Sequence, residues 1–64
     1  MADVKTMRQV RQMANMSPTT LAALADVSVR YIHALESGER TNPSIGVLLR
    51  LAAALDVPVD TIAR

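Results

Sequence analysis

Residues 17–38, SPTTLAALADVSVRYIHALESG, carry most of the information about the fold. Ser17 followed by Pro18 is a strong helix start, since a serine hydroxyl caps the first turn and proline suits the first helical position. Ser28 provides a second start after a short interruption, and Gly38 is a typical helix stop. The segment therefore predicts two short helices joined by a tight turn.

The apolar residues of this segment are placed to pack the two helices together. Ala22 is small enough to let them approach closely, and Leu24 is expected to be available for packing. Val27 is placed to fill the space beneath the turn. Ile32 and Leu35 have the spacing of an inward helix face. These are the physical requirements of a helix-turn-helix, in which the second helix is held exposed at the surface. Periodicity alone leaves a generic helical bundle as an equal alternative.

The remainder of the chain also has helical spacing, with no strand-like alternation. Asp3 and Ser44 are predicted N-caps, Asn15 and Pro58 follow predicted helix ends, and Ile62 anchors a last short helix. We predict an all-α fold with five helices, over approximately residues 3–14, 18–25, 29–37, 45–55 and 58–63.

Length and composition narrow the class of protein. The 64 residues fit one domain, 1–64, and half of them are hydrophobic. Without cysteine, neither a disulfide nor a thiolate metal site is available. Because the sequence has no membrane-length apolar run and no signal-peptide pattern, we expect a soluble cytoplasmic protein without membrane association. The net charge of +1 is only a mild indication of a nucleic-acid partner.

Catalysis and metal binding have little support. The sequence contains no nucleophile with a nearby base, no useful pair of carboxylates and no glycine-rich phosphate loop. His33 is the single histidine and has no second ligand near it in sequence. We therefore predict no enzymatic activity, no cofactor and no metal.

Over roughly residues 4–63 the chain resembles the phage-repressor-like (Xre/Cro type) helix-turn-helix domain. Several short motifs at fixed spacing carry the resemblance: Val10-Arg11, Ser17, Leu21-Ala22, Val27-Ser28, Ile32, Leu35-Glu36, Gly38, Pro43-Ser44 and Leu51-Ala52 through Leu55. It implies a compact five-helix lambda-repressor-like domain whose third helix enters the major groove of duplex DNA. The implied function is a sequence-specific transcriptional regulator, a repressor, which acts as a homodimer on a two-fold-related operator.

The resemblance implies base contacts from the exposed side of the helix over 29–37. The residues carried over to this role are Val29, Arg30, His33 and Ala34. Arg30 is the strongest candidate, because its guanidinium matches guanine O6 and N7 and discriminates by about 1–3 kcal/mol. Val29 suits a thymine methyl group, and Ala34 permits close approach. For His33, a surface contact and no role remain equal alternatives.

A second group of residues is predicted to contact DNA phosphates: Arg8, Ser17, Thr19, Tyr31, Arg40, Thr41 and Asn42. A solvated charged face is the alternative for three basic residues: Lys5, Arg8 and Arg40. A phosphate contact is favoured for Arg8, and the other two are undecided. The Tyr31 ring is expected to pack against the following loop, with its hydroxyl as the group that reaches a phosphate. Two positions depart from the family pattern. Pro18 replaces a common glutamine, which weakens a phosphate clamp unless Thr19 or Thr20 supplies it. Asp26 replaces a common glycine, so we expect a positive φ there.

Other side chains are assigned packing or interaction roles. The resemblance implies a structural ion pair between Arg11 and Glu36, with a phosphate contact by Arg11 as the alternative. Arg50 is interpreted as a snorkelling surface residue. Val59 and Ile62 are the candidate dimer contact. The methionines at core or edge positions of the helices are interpreted as packing residues: Met7, Met13 and Met16.

The near-neutral charge keeps a second function open. Pro18 and the apolar side chains of Val29 and Ala34 also suit a protein-interaction module on the same fold, for example an antitoxin that holds a toxin, with DNA binding secondary.

Overall fold

The fold is taken from a computed structural model that describes residues 4–62, with side chains from Met7 onward. Four α-helices are followed by a single 3-10 turn, and the described residues contain no β-strand. The elements are α1 (Val4–Met13), α2 (Pro18–Ala25), α3 (Val29–Ser37), α4 (Ile45–Leu55) and the 3-10 turn (Val59–Thr61). The predicted cap Asp3 and the last residue of the predicted fifth helix, 63, lie outside the described residues.

Three serines set the starts of α2, α3 and α4. Ser17, Ser28 and Ser44 each have extended backbone, and each hydroxyl oxygen accepts a hydrogen bond from the amide three residues later, at 3.1, 3.0 and 3.3 Å respectively. Each serine thereby satisfies one of the amides that a helix leaves without a partner in its first turn. These starts follow from local sequence, because the cap and its donor are only three residues apart.

All four helices end with a residue in the left-handed conformation, and in three of them this residue is not glycine. Asn15 after α1, Asp26 after α2 and Asp56 after α4 have φ of 55°, 59° and 59°. The next amide in each case donates to the carbonyl five residues back, at 3.0 Å, as in a Schellman end: the pairs are Met16 with Arg11, Val27 with Ala22, and Val57 with Ala52. The positive φ predicted at Asp26 is therefore correct. The third helix, α3, ends at Gly38, whose φ is 88°.

The core lies where α2 packs against both α3 and α4, and α1 packs against α3. Its buried apolar residues are Met7, Leu21, Ala22, Ala25, Ile32, Leu35, Leu51, Ala52, Leu55 and Ile62. Because the side chains of Ala22 and Ala25 are small, α2 lies close to its neighbours. Burial of these aliphatic side chains supplies the main favourable contribution to folding.

The prediction of a fifth α-helix over 58–63 is wrong, because the described part of this segment is not α-helical. The structure has a three-residue 3-10 turn there, in which the amides of Thr61 and Ile62 donate to carbonyls three residues back, at 2.9 and 3.1 Å. Pro58 precedes it and makes no side-chain cap, so its first turn lacks the support that serine gives the other helices. Short segments of this kind adopt 3-10 geometry rather than a sustained α-helix.

Three side-chain predictions also need correction. Met13 and Leu24 are exposed, because they lie off the inward faces that Met7 defines on α1 and Leu21 on α2. Ile62 is only 2% exposed, since it packs into the core as the anchor of the 3-10 turn. It is therefore not available as a dimer contact, although it does anchor the last turn as expected.

Candidate nucleic-acid interface

One face of α3 is turned to solvent. Val29, Arg30 and His33 are exposed and Ala34 is half-buried, so these four residues occupy the outward part of α3. The opposite face is buried in the core through Ile32, Leu35 and Glu36. This division gives α3 a fixed orientation in the molecule and leaves its first two turns open to a partner.

A shallow groove of about 480 Å³ runs along this exposed face and the segment that follows α3. Its lining residues are Ser28, Arg30, Tyr31, His33, Ala34, Ser37, Glu39 and Arg40. Within the part of the chain that the structure describes, Arg30 forms no ion pair, so its guanidinium donors remain available. Three of the four predicted base-reading residues therefore share one groove with Arg40 and Tyr31.

The segment after α3 folds back over Tyr31. The amide of Arg40 donates to the carbonyl of Ala34 at 3.0 Å, and the Arg40 guanidinium carbon lies 5.4 Å from the centre of the Tyr31 ring. This distance is within the range of a cation–π interaction. The ring thus lies against the following segment, with the Arg40 guanidinium beside it at the edge of the groove.

A buried ion pair joins α1 to α3. Arg11 Nε and Nη2 donate to Glu36 Oε2 and Oε1 at 2.6 and 2.9 Å, and Nη1 donates to the carbonyl of Met16 at 2.8 Å. Arg8, which is half-exposed, lies with its Nε 3.5 Å from Glu36 Oε1. The Glu36 carboxylate on the inner face of α3 therefore faces two arginines of α1. Through its bond to Met16, Arg11 also holds the segment that connects α1 to α2.

The same contacts raise the pKa of Arg11. The hydrogen bond to Glu36 is the main cause, burial opposes it, and the charge of the carboxylate adds to it. Because the pKa of Arg11 is higher in the folded than in the unfolded protein, its charged form adds to the free energy of unfolding. This contribution is fully present below the pKa of the unfolded protein and is lost as pH rises through the pKa of the folded protein. Since the ordinary arginine pKa is already far above neutrality, Arg11 stays charged at neutral pH.

The start of α2 presents hydroxyl groups but few amides. The first three residues of α2 are Pro18, Thr19 and Thr20. Pro18 has no N–H, and the amide of Thr20 donates to Ser17 Oγ. The amide of Thr19 is therefore the one amide of these three residues that is left for a ligand. The Ser17 hydroxyl donates to Thr20 Oγ1 at 3.0 Å. Because the Ser17 proton is used in this way, the hydroxyls of Thr19 and Thr20 are the better donors to an anion.

The other predicted phosphate-contacting residues are also at the surface. Thr41 and Asn42 are exposed in the segment between α3 and α4, and Arg8 is exposed on α1. The side chain of Lys5, whose role the sequence leaves undecided, lies outside the described residues.

Sequence reasoning missed the role of one arginine. Arg50 on α4 donates from Nε to the carbonyl of Ala25, the last residue of α2, at 2.9 Å. Its partner lies 25 positions earlier in the chain. Arg50 is exposed, in agreement with its interpretation as a surface residue, but neither periodicity nor a local motif indicates this bond.

These elements define a helix-turn-helix: α2 and α3 are joined by a tight turn, and α3 has one buried and one exposed face. The chain belongs to the helix-turn-helix family, whose model matches residues 7–62. It is 38% identical over 55 residues to the HTH-type transcriptional regulator SinR of Bacillus subtilis (strain 168), a match that covers 86% of this chain and 50% of that protein. The chain thus spans about half the length of the curated relatives it matches.

Solved structures give the same family. The structure of SinR, the master regulator for biofilm formation, in complex with DNA has a TM-score of 0.87 at 36% identity, with 92% of this chain and 97% of that chain covered. The restriction-modification controller protein C.AhdI from Aeromonas hydrophila has a TM-score of 0.86 at 33% identity, with coverage of 91% and 86%. Among the described residues, no helix is long and apolar enough to cross a membrane.

Proposed function

We propose that this chain binds duplex DNA sequence-specifically as a transcriptional regulator, a repressor, with α3 in the major groove. The observation that carries the proposal is that Arg30 is exposed and makes no ion pair within the described residues, on a helix whose opposite face is fixed in the core. Two lines of support come from relatives: SinR is a transcriptional regulator with a structure in complex with DNA, and C.AhdI is a controller protein. A regulator of this kind acts in the cytoplasm, where its operator lies.

In this proposal the outer face of α3 makes the base contacts. Arg30 donates its two parallel N–H bonds to a guanine, Val29 contacts a thymine methyl group, and His33 reaches the next position. Ala34 has no long side chain, so the helix approaches the groove floor closely there. Arg30 is proposed to specify the DNA sequence, because two hydrogen bonds to one guanine discriminate between bases more strongly than the contacts of the other three side chains.

Phosphate contacts fix the position of α3 on the duplex without reading sequence. We propose that Arg40, beside the Tyr31 ring, contacts one strand together with Thr41 and Asn42. At the start of α2, Thr19 and Thr20 are better placed as donors than Ser17, whose hydroxyl proton is used within the cap. Arg8 is shared between Glu36 and solvent, and its half-exposed guanidinium leaves it free to reach a phosphate.

We further propose that the protein binds as a homodimer. With Ile62 in the core, exposed aliphatic side chains of α4 are better candidates for the contact, beside Val59. Ile45 is 66% exposed and Leu49 is 52% exposed, and their spacing of four residues places them side by side on the helix surface. Sedimentation of wild type and Leu49→Glu at high concentration tests this: a dimer lost in the variant is expected, and a monomeric wild type, with and without DNA, contradicts it.

The test of DNA binding is selection of bound fragments from a randomised duplex pool at fixed salt. We expect an enriched site with two-fold symmetry. A folded wild-type protein that enriches no sequence would contradict the proposal and favour the second candidate.

The second candidate is a protein-interaction module, such as an antitoxin that binds a toxin, on the same fold. One observation favours it: the exposed apolar side chains Met13 and Leu24 give α1 and α2 surfaces suited to a protein partner. The solved complex of SinR with the SinI protein, which the chain matches at a TM-score of 0.85 and 36% identity, shows that a relative has a protein partner. If this candidate is correct, we expect a protein encoded beside the gene to co-purify with the chain. DNA binding is then expected to be weak and independent of sequence.

A further inference from the structure

The carbonyl of Ala25 is buried at the end of α2. Residue Ala25 is 0% exposed, so water does not reach its carbonyl oxygen. Because Ala25 is the last residue of α2, the helix itself supplies no amide to this oxygen. The donor it meets is Arg50 Nε, at 2.9 Å, from α4. Without that donor the carbonyl would be a buried acceptor with no partner, which is unfavourable.

This carbonyl lies at the point where the chain leaves α2 for the turn. The peptide group that joins Ala25 to Asp26 is held on both sides: Arg50 bonds its oxygen, and its N–H donates back to the carbonyls of Ala22 and Ala23. Asp26 has the left-handed conformation, and Ser28 caps α3 two residues later. This peptide group therefore links the end of α2, the bond from α4 and the turn that leads into α3.

We propose that Arg50 is a positioning residue for the recognition helix: it fixes the α2–α3 turn from α4 by its bond to the Ala25 carbonyl. The inference rests on the proposed DNA-binding function. It assigns Arg50 an effect on DNA affinity through the placement of α3 and not through a phosphate contact of its own charge.

Three substitutions separate the hydrogen bond from the charge. In Arg50→Gln, the amide Nε2 lies at the same number of bonds from the backbone as arginine Nε, so the variant keeps a donor and loses the charge. Arg50→Met has a chain of similar length with neither donor nor charge, and it keeps water away from the carbonyl. Arg50→Lys keeps the charge but moves the donor one atom further out. Gln and Met are thus a matched pair for the bond alone.

DNA affinity is measured at a temperature well below the unfolding midpoint of every variant, over a range of salt concentrations. We expect Arg50→Met to bind roughly tenfold more weakly, the scale of one hydrogen bond from a charged donor, and Arg50→Gln to stay within about twofold of wild type. The salt dependence is expected to be the same in all four proteins, because a positioning residue neutralises no phosphate.

The free protein provides an independent readout by NMR. Backbone amide shifts of Val27, Ser28 and Val29 are expected to change in Arg50→Met and to return toward wild type in Arg50→Gln. If wild type binds no DNA, the proposed function fails, and these shifts alone decide whether Arg50 positions the turn. Unchanged shifts in Arg50→Met would overturn the inference.

Two binding results would also overturn it. If Gln and Met lose affinity equally while Lys and wild type agree, the charge of Arg50 contacts phosphate. If Met lowers only the unfolding midpoint and leaves affinity unchanged, the bond stabilises the fold without positioning α3.

Discussion

The two faces of α3 use polar residues in opposite ways. On the inner face Glu36 is buried and receives two hydrogen bonds from Arg11, with Arg8 nearby. On the outer face Arg30 is exposed and unpaired among the described residues. Arg11 and Arg30 are the same residue type, but one is committed to the fold and the other is free for a ligand. The difference shows that tertiary contacts, and not residue type, decide which arginine is held within the fold and which remains at the surface.

The largest effect is expected on the inner face. Glu36→Gln leaves the buried Arg11 guanidinium without its counter-charge, which should cost about 3 kcal/mol of unfolding free energy. This is a large part of the stability that a domain of this size has. Urea denaturation measures it, with exposed Glu39→Gln as the matched control, expected within about 0.5 kcal/mol of wild type. Equal midpoints for both variants would show that the pair does not stabilise the fold.

On the outer face, Arg30→Ala should change binding and leave stability within about 0.5 kcal/mol of wild type. We expect a loss of about 1–3 kcal/mol in affinity for the selected site and a relaxed preference at one base pair. Selection from the randomised pool, run beside wild type, measures both. An unchanged preference at every position would mean that Arg30 does not read a base.

Substitution of the arginines beside α3, Arg40 and Arg8, is expected to have a smaller effect on DNA affinity that does not depend on DNA sequence. Arg40→Ala should weaken binding to all sequences alike and lower the slope of log K against log salt by about one. Arg8→Ala should do the same if Arg8 leaves Glu36 for a phosphate on binding, and should alter only stability, by under about 1 kcal/mol, if it does not. Titrations at several salt concentrations separate these results from the effect of Arg30→Ala.

The smallest effect concerns the turn that precedes α3. Asp26 and Asp56 share the left-handed conformation, with φ of 59° and ψ of 44° and 45°. Glycine relieves the strain of that conformation but increases the entropy of the unfolded chain. We therefore expect Asp26→Gly and Asp56→Gly to raise the unfolding free energy by similar, small amounts of about 0.5 kcal/mol. Thermal unfolding of the two variants in parallel checks this, and opposite signs would show that tertiary contacts dominate at one site.

Local features of the fold were the most predictable from sequence. The caps at Ser17, Ser28 and Ser44 involve partners only three positions away, so short motifs specify them. The positive φ of Asp26 was expected from the family pattern, in which glycine is common at that position, whereas the same conformation at Asp56 was not expected. The last helix was mispredicted because apolar spacing alone does not distinguish an α-helix from a 3-10 turn that lacks a cap.

Contacts between distant segments were predictable only where the family resemblance supplied them. The Arg11–Glu36 pair was inferred in that way and is present in the structure, whereas the bond from Arg50 to Ala25 had no such source. The exposure of Leu24 depends on which sides of α2 its neighbours cover, which spacing within α2 leaves undetermined. The roles of Arg30 and the other predicted DNA-contacting residues remain predictions.

The helix end at Asp26 has a counterpart at Asp56, in similar local sequence: LAALADV at 21–27 and LAAALDV at 51–57. One copy leads into α3 and the other into the 3-10 turn over Val59–Thr61, so the same kind of helix end serves two different continuations of the chain. The residues proposed to specify a DNA sequence lie outside both segments, on the outer face of α3. Because these side chains contribute little to the core, we expect a graft of different outward side chains onto α3 to leave the folding of the domain intact.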